Sequence, residues 1–315
     1  MVIVISTLDN SGGAGMLADA REIYNHRSHP FVIQSGIAVQ NNDSVLKIKA
    51  TDILTFESMI DSLLLSKFNL NFKEILKQEI LKQSPQNSLK NNNKSKDIIK
   101  IGLICDIRQV QYILTLSNIL KCDIVLDIPI ISTTGYSITS PKIAKSIFTN
   151  LLPITTLFTP NKHELDYFDG MDNILSTGLK NILVKGIEFN DFYQNHHICN
   201  FIKKFNFFDT FSSFLDNNSI YDILVSKSYF RTTQNNDYFS HQNIVIFKSN
   251  KINIQTNVRG TGCAFSSIIS ANLSNNLNLI DSIMIAKKRI YQGILNSYYE
   301  FGSNNFLSNT SYQIH

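Results

Sequence analysis

Val258-Arg-Gly-Thr-Gly-Cys-Ala-Phe-Ser-Ser-Ile-Ile-Ser-Ala-Asn-Leu-Ser274 places a glycine-rich turn and a cysteine directly ahead of a helix of small and apolar residues. Gly260 and Gly262 allow close backbone approach, and the free N–H groups of a first helical turn carry partial positive charge. Gly260, Thr261, Gly262 and Cys263 are therefore read as an anion hole that suits a transferring phosphoryl group. Cys263 stands at the helix start, where the dipole is expected to favour its thiolate and lower its pKa. A thiolate there could take a proton from a substrate hydroxyl. A Gly-x-Gly before a helix is also a common tight connection, so the rest of the chain has to decide.

Short Val- and Ile-rich runs, each followed by a polar turn and a longer helical pattern, predict parallel strands in a β-α sandwich. The runs are Val2 to Ser6, Phe31 to Ser35, Ile98 to Ile101, Ile124 to Asp127, Thr156 to Phe158 and Ile182 to Val184. Ligands of such sheets collect at the carboxyl ends of the strands. Asp9, Gln40, Gly102, Asp127, Asn161 and Lys185 fall there. Two segments break the rhythm, at about 70–97 and 187–243, and are read as insertions in a single domain spanning 1–315. The first holds the polar tract Ser84 to Lys96, which cannot bury enough apolar surface to order itself. The second is rich in Phe, Tyr and Asn and is expected to pack on the domain itself or on a partner subunit.

With 315 residues, 43% of them hydrophobic, the chain can bury the core of one large α/β domain. Its net charge is +4. The densest basic stretch, Lys90 to Lys100, is interleaved with asparagine and lacks aromatic residues to stack bases, so nucleic-acid binding is not indicated. Cys105, Cys122, Cys199 and Cys263 show no Cys-x-x-Cys spacing, which points to a reducing, cytoplasmic setting without disulfides. The apolar start Met1 to Ser6 lacks a positive flank and is too short for a signal peptide or membrane span. It is expected to form the first strand.

Three further stretches carry chemistry. Asp9-Asn-Ser-Gly-Gly-Ala-Gly-Met-Leu-Ala-Asp19 lets backbone approach a ligand closely, without Walker A or dinucleotide spacing. In Thr159-Pro-Asn-Lys-His-Glu164, Asn161 and Glu164 have the spacing of a capping box; the same geometry could hold magnesium or its waters, with Asp127 as a second carboxylate. Asp127 could equally be a helix-capping or turn residue. Lys185, at the end of Ile182-Leu-Val-Lys, can reach phosphate oxygens or simply face solvent.

Together and in this order, the motifs resemble the hydroxymethylpyrimidine/phosphomethylpyrimidine kinases of thiamin biosynthesis, a branch of the ribokinase-like superfamily. The resemblance rests on Asp9 to Gly15 with Asp19, Val39-Gln-Asn41, Lys100-Ile-Gly102, Val125-Leu-Asp127 with Gly135, Thr159-Pro-Asn161 with Glu164, Leu183-Val-Lys-Gly186 and Gly260-Thr-Gly-Cys263. It implies a three-layer α/β/α sandwich with a mostly parallel central sheet, ATP and Mg2+. The implied reaction phosphorylates 4-amino-5-hydroxymethyl-2-methylpyrimidine and then its monophosphate. By the same resemblance Asp19 and Gln40 hydrogen-bond the aminopyrimidine, and Leu103 and Pro129 line its faces. Asn161, Glu164 and Asp127 organise Mg-ATP, Lys185 contacts phosphates, and Gly260 to Cys263 form the anion hole and base. A homodimer is a further expectation of this kind.

The chain departs from the family pattern around the pockets. Thr7 stands for a glycine and is expected to narrow the substrate pocket. Asp127-Ile-Pro-Ile130 shifts a proline by one position, and Arg259 replaces a histidine, adding positive charge beside the phosphate site. The stretch between Glu164 and Ile182 looks too short for the helix expected there. A pyridoxal or pyridoxine kinase of the cysteine-containing kind, or a non-catalytic pyrimidine-binding homologue, are the competing readings.

Overall fold

Val2 and Val4 point to one side of the first strand and Ile3 and Ile5 to the other, and all four are fully buried. That alternation, repeated along the neighbouring strands, requires a cover on each face of the sheet. The computed structural model describes residues 1–41, 43–72, 96–130, 137–204, 211–254, 256–300 and 304–308. Its main sheet has nine strands in the order β3-β2-β1-β4-β5-β6-β7-β8-β9. These are β1 (Val2–Asp9), β2 (Pro30–Gln40), β3 (Val45–Ala50), β4 (Ile98–Ile101), β5 (Asp123–Leu126), β6 (Leu157–Phe158), β7 (Asn181–Glu188), β8 (Ser219–Gln234) and β9 (Tyr238–Asn250). The run from β2 through β1, β4, β5 and β6 to β7 is parallel, whereas β3, β8 and β9 pair antiparallel at the two edges.

Helices α1 (Gly15–Asn25), α9 (Thr261–Ser274) and α10 (Leu279–Leu295) cover the Val2/Val4 face, where Ile23, Ile268, Ile269 and Ile283 meet Val125, Leu183 and Val245. The opposite face is covered by α2 (Ile53–Phe68), α3 (Ile107–Leu120), α4 (Pro141–Ser146), α5 (Lys162–Tyr167), α6 (Gly170–Ser176), α7 (Asp191–Gln194) and α8 (His196–Lys203). A small second sheet pairs β10 (Val258–Arg259) with β11 (Asn305–Phe306) in parallel. The result is a three-layer α/β/α sandwich of the ribokinase-like class.

All six expected strands are present. The region 187–243 supplies α7, α8, β8 and the start of β9, and its Phe192, Phe201, Phe214, Tyr221 and Phe239 enter the main core. It packs on the domain itself. Of the cluster Phe205 to Phe211 in this aromatic segment, Phe211 enters the core, whereas 205–210, most of the 70–97 segment and Gly135 lie outside the described residues. The interval from Glu164 to Ile182, expected to be too short for a helix, contains the end of α5 and all of α6. Short helices suffice because Phe168, Met171 and Ile174 each reach the core.

On the Val2/Val4 face one cation replaces an apolar residue. Lys100 in β4 is fully buried and its Nζ lies 2.8 Å from Asp19 Oδ1 on α1, itself fully buried. Burial works against the Lys100 charge, but Asp19, with Cys263 and Asp127 nearby, outweighs it and raises the lysine pKa. Removing one member of such a pair leaves an uncompensated buried charge. Lys100→Met should therefore cost about 3–5 kcal/mol of unfolding free energy in urea, and Asp19→Leu in the same chain should recover most of it.

Candidate active site

Two cavities open along the carboxyl ends of the parallel strands and meet at the start of α9. The larger, about 590 Å³, is bordered by Ile220, Asp222, Ile252, Phe265, Lys287 and Tyr291. The smaller, about 310 Å³, is bordered by Thr7, Gln40, Leu103, Pro129, Glu164 and Cys263. Asn161, Lys185, Thr261 and Gly262 border both. A molecule in each cavity would therefore meet the other across the turn preceding α9.

That turn is built by backbone geometry. Gly260 caps α9 at φ 79°, no side chain caps the helix, and its first N–H groups remain available to an anion. A Cβ on Gly260 would stand 1.9 Å from the carbonyl oxygen of Gly13, so no side chain fits. The loop from β1 to α1 is drawn tight by Asp9, whose Oδ1 accepts from Ser11 N and Oγ and whose Oδ2 accepts from Ala14 N. Opposite Gly262, the space a Cβ would occupy is 3.6 Å from Lys185 Nζ and 3.9 Å from Asp127 Oδ2.

Asp127, just past β5, accepts from Lys185 Nζ at 2.6 Å, Thr159 Oγ1 at 2.9 Å and Ser266 Oγ at 3.0 Å. Burial alone would raise its pKa; Lys185 and Lys100 outweigh burial and hold it below the usual range. Lys185 ends the parallel pairing of β6 with β7, where its N–H reaches Pro160 O at 2.9 Å. Asn161 and Glu164 form the complete capping box of α5: Asn161 Oδ1 accepts from Glu164 N, and Glu164 Oε2 accepts from Asn161 N, both at 2.9 Å. Capping does not remove them from the site, since both border the smaller cavity. Burial pushes the Glu164 carboxyl up to about 7, with Asp127 adding to the shift and Lys185 opposing it.

Three expectations need correction. Cys263 borders the smaller cavity, but burial together with Asp19 and Asp127 pushes its thiol up to about 11, so the helix dipole does not produce a resting thiolate. Asp19, assigned by resemblance to the substrate ring, is fully buried beneath the site; its Oδ1 accepts from Lys100 and from Ser267 Oγ at 2.8 Å. Arg259 borders the smaller cavity together with the Gly260 turn, but its guanidinium is engaged at the end of β2. Its guanidinium donates to Gln40 Oε1 at 2.8 Å and to Asn41 O at 3.2 Å. Gln40, Leu103 and Pro129 border the smaller cavity, as does Thr7.

Sequence reasoning gave no part to Ser266 and Ser267, which hold Asp127 and Asp19, and quoted Lys100 only within Lys100-Ile-Gly102, without its role of neutralising Asp19. Their shared signal is polarity inside otherwise apolar elements: two serines within Ala264 to Ile269, and a lysine within Ile98 to Ile101. It also missed Asp222, which accepts from Gly186 N at 2.9 Å and Lys287 Nζ at 2.6 Å and so fixes the wall of the larger cavity.

Two cavities joined at a glycine-capped helix start, on this sandwich, suit a small-molecule phosphotransferase. The fold is shared with the ADP complex of Bacillus subtilis pyridoxal kinase, with a TM-score of 0.68 at 16% identity over 100% of this chain and 98% of that one. Phosphomethylpyrimidine kinase from Clostridium difficile matches with a TM-score of 0.59 at 20% identity over 93% of this chain and 98% of that one. A hydroxymethylpyrimidine/phosphomethylpyrimidine kinase of Aquifex aeolicus is 26% identical over 312 residues, 94% of this chain and 95% of the relative. The family model for phosphomethylpyrimidine kinase matches residues 75–220 and 214–307. The chain belongs to the phosphomethylpyrimidine kinase family and is a kinase that uses ATP.

Two measurements check this geometry. Gly260→Ala would press a methyl group onto the Gly13 carbonyl and displace the anion-binding turn, so ADP formation should fall by about 100-fold or more. Because Glu164 holds its proton more tightly in the folded state, the stability it contributes is full below about 4.5 and is lost as pH rises through about 7. Urea midpoints should decline over that window, and Glu164→Gln should flatten the decline.

Proposed function

We propose that the protein transfers the γ-phosphoryl group of ATP to the hydroxymethyl group of 4-amino-5-hydroxymethyl-2-methylpyrimidine, and then phosphorylates the resulting monophosphate. The observation that carries this reading is the meeting of two unequal cavities at the Gly260 to Cys263 turn. The larger combines an apolar slot of Ile220, Ile252, Ile290 and Tyr291 with Lys185 and Lys287, which suits a purine carrying phosphates. The smaller is closed by Leu103 and Pro129 and offers Gln40 as a polar partner, which suits a flat substituted ring.

The chain's residues act by position and charge. Backbone N–H groups of Thr261, Gly262 and Cys263 face the transferring group, and Lys185 contacts phosphate oxygens from the side. Preorganised donors of this kind contribute most where the phosphoryl group passes through a loose transition state. A thiol pushed up to about 11 is protonated at rest, so Cys263 can accept the hydroxyl proton only from its small thiolate fraction, and a loose transition state, which asks little of the attacking hydroxyl, lets that transfer come late. Cys263 can do so only while reduced, in keeping with a cytoplasmic setting.

The acidic residues suit Mg2+. Glu164 is a buried carboxyl whose pKa burial raises despite Lys185 nearby, and Asn161 and Asp127 add oxygen donors beside it. No three His, Cys, Asp or Glu side chains converge as a metal cage among the described residues. Phosphate oxygens and water would complete the shell, as this ion prefers. When bound, Mg2+ supplies charge neutralisation at the phosphates.

The test is ADP release and product mass with Mg-ATP and, separately, the pyrimidine alcohol, its monophosphate, pyridoxal and pyridoxine. Turnover of both pyrimidine compounds is expected; turnover of pyridoxal alone would overturn the substrate assignment. Cys263→Ala should lower kcat by about 100-fold while nucleotide affinity, followed by calorimetry, stays close to that of the parent chain. A variant with normal turnover would remove Cys263 from the base role.

A further inference from the structure

Arg259 borders the smaller cavity and not the larger one, and its position gives it work that neither the Gly260 turn nor the larger cavity requires. Its backbone lies in β10, paired in register with Phe306 of β11. The Phe306 ring backs the β1–α1 loop: a Cβ on Gly13 would stand 3.1 Å from Phe306 Cε1 and 3.6 Å from Arg259 Cβ. The base of the arginine is thus wedged between two loops. Its guanidinium then reaches across the mouth of the smaller cavity to Gln40 Oε1 and Asn41 O.

Gln40 is 7% exposed at the end of β2, and its backbone N–H is already bound to Asn10 Oδ1 at 2.8 Å. A glutamine side chain is ambiguous by nature, because one end accepts and the other donates. A guanidinium only donates, so beside Arg259 the amide must present its oxygen to the arginine. The NH2 group is the end left for a ligand in the cavity that Gln40 borders.

We propose that Arg259 is a positioning residue that sets ring specificity: it holds the Gln40 amide with its NH2 toward the smaller cavity, so that the site selects rings presenting a hydrogen-bond acceptor, such as an unprotonated ring nitrogen. This rests on the kinase reading above and names the feature of the alcohol that the site reads. A ring with only C–H at that edge leaves the amide donor without a partner, and a buried donor left unpaired is costly. Without Arg259 the amide is free to turn, and the cost of the wrong ring falls.

The experiment compares two alcohols, the aminopyrimidine and its benzyl alcohol counterpart with the same amino and methyl groups but no ring nitrogen. KM and kcat are measured with Mg-ATP for the parent chain, Arg259→Met and Arg259→Lys, with thermal midpoints to confirm folding. The parent should prefer the pyrimidine by about 10-fold or more in KM. Arg259→Met should shrink that preference at least about fivefold, with the change falling on KM rather than kcat. Arg259→Lys, still a pure donor, should restore much of it. Gln40→Glu, which offers no donor, should also lose the preference.

An equal preference in the parent and Arg259→Met overturns the proposal, as does a shift confined to kcat. If the parent phosphorylates neither ring, the kinase reading fails separately. Calorimetric binding of the same two compounds to the same variants then decides the Arg259 proposal: a preference lost in Arg259→Met and kept in Arg259→Lys sustains it. Indifference of the parent chain to the ring nitrogen sinks it.

Discussion

Two carboxylates are buried beneath the first turns of α9, and the glycine turn that opens this helix stands where it does because of how they are held. Asp19 comes from α1 and Asp127 from the end of β5. Each takes a lysine from the sheet, Lys100 or Lys185, and a serine from α9, Ser267 or Ser266. Consecutive residues on a helix point about 100° apart, so the two serines reach different acids and together fix the rotation of α9 as well as its height. Desolvating each ion costs several kcal/mol. The arrangement is tolerable only when every partner is in place, and that mutual dependence ties the helix start to the sheet.

The same array explains why Cys263 does not behave as an isolated cysteine at a helix start. A helix terminus contributes about 0.3–1 kcal/mol to a favourable charge, and up to about 2 in partly buried geometry. Against it stand burial and the two carboxylates, with Lys100 only partly offsetting them. The negative groups that fix the start of α9 in space therefore also oppose a resting thiolate on it. The positive charge at the junction of the cavities is left to Lys185, which Asp127 holds at 2.6 Å, with no permanent anion at position 263 beside it.

Much of the architecture was legible because parallel strands buried on both faces read as continuous Val/Ile runs, and β1, β4 and β5 are of that kind. The edge strands were less legible. β3 reads Val-Leu-Lys-Ile-Lys-Ala and is half exposed, and β8 ends in polar and aromatic residues beyond its buried Ile223-Leu-Val225. At the site, glycine spacing and the Asn161/Glu164 pair were visible because each is a local pattern. Lys100 with Asp19, Asp222 with Lys287, and Arg259 with Gln40 were not, since they are 81, 65 and 219 residues apart. No local periodicity records such a meeting. What the chain does carry is the oddity of a single polar residue in an apolar element, a sign that some distant partner exists without saying which.

The two glycine loops show how tightly the half-sites are joined. A Cβ on Gly260 would collide with the Gly13 carbonyl, and one on Gly15 would stand 2.4 Å from the Thr7 carbonyl. The turn before α9 therefore rests on the β1–α1 loop, which in turn rests on the end of β1, where the pairing with β2 slips between Ser6 and Thr7. Thr7, Gln40 and the anion hole are consequently parts of one contact chain. Residues that shape the ring pocket cannot shift without moving the phosphate turn, because close-packed backbone transmits a displacement rather than absorbing it. Thr7, Pro129 and Arg259 border the smaller cavity, while the close approaches that join the two loops run through the Gly13 and Thr7 carbonyls.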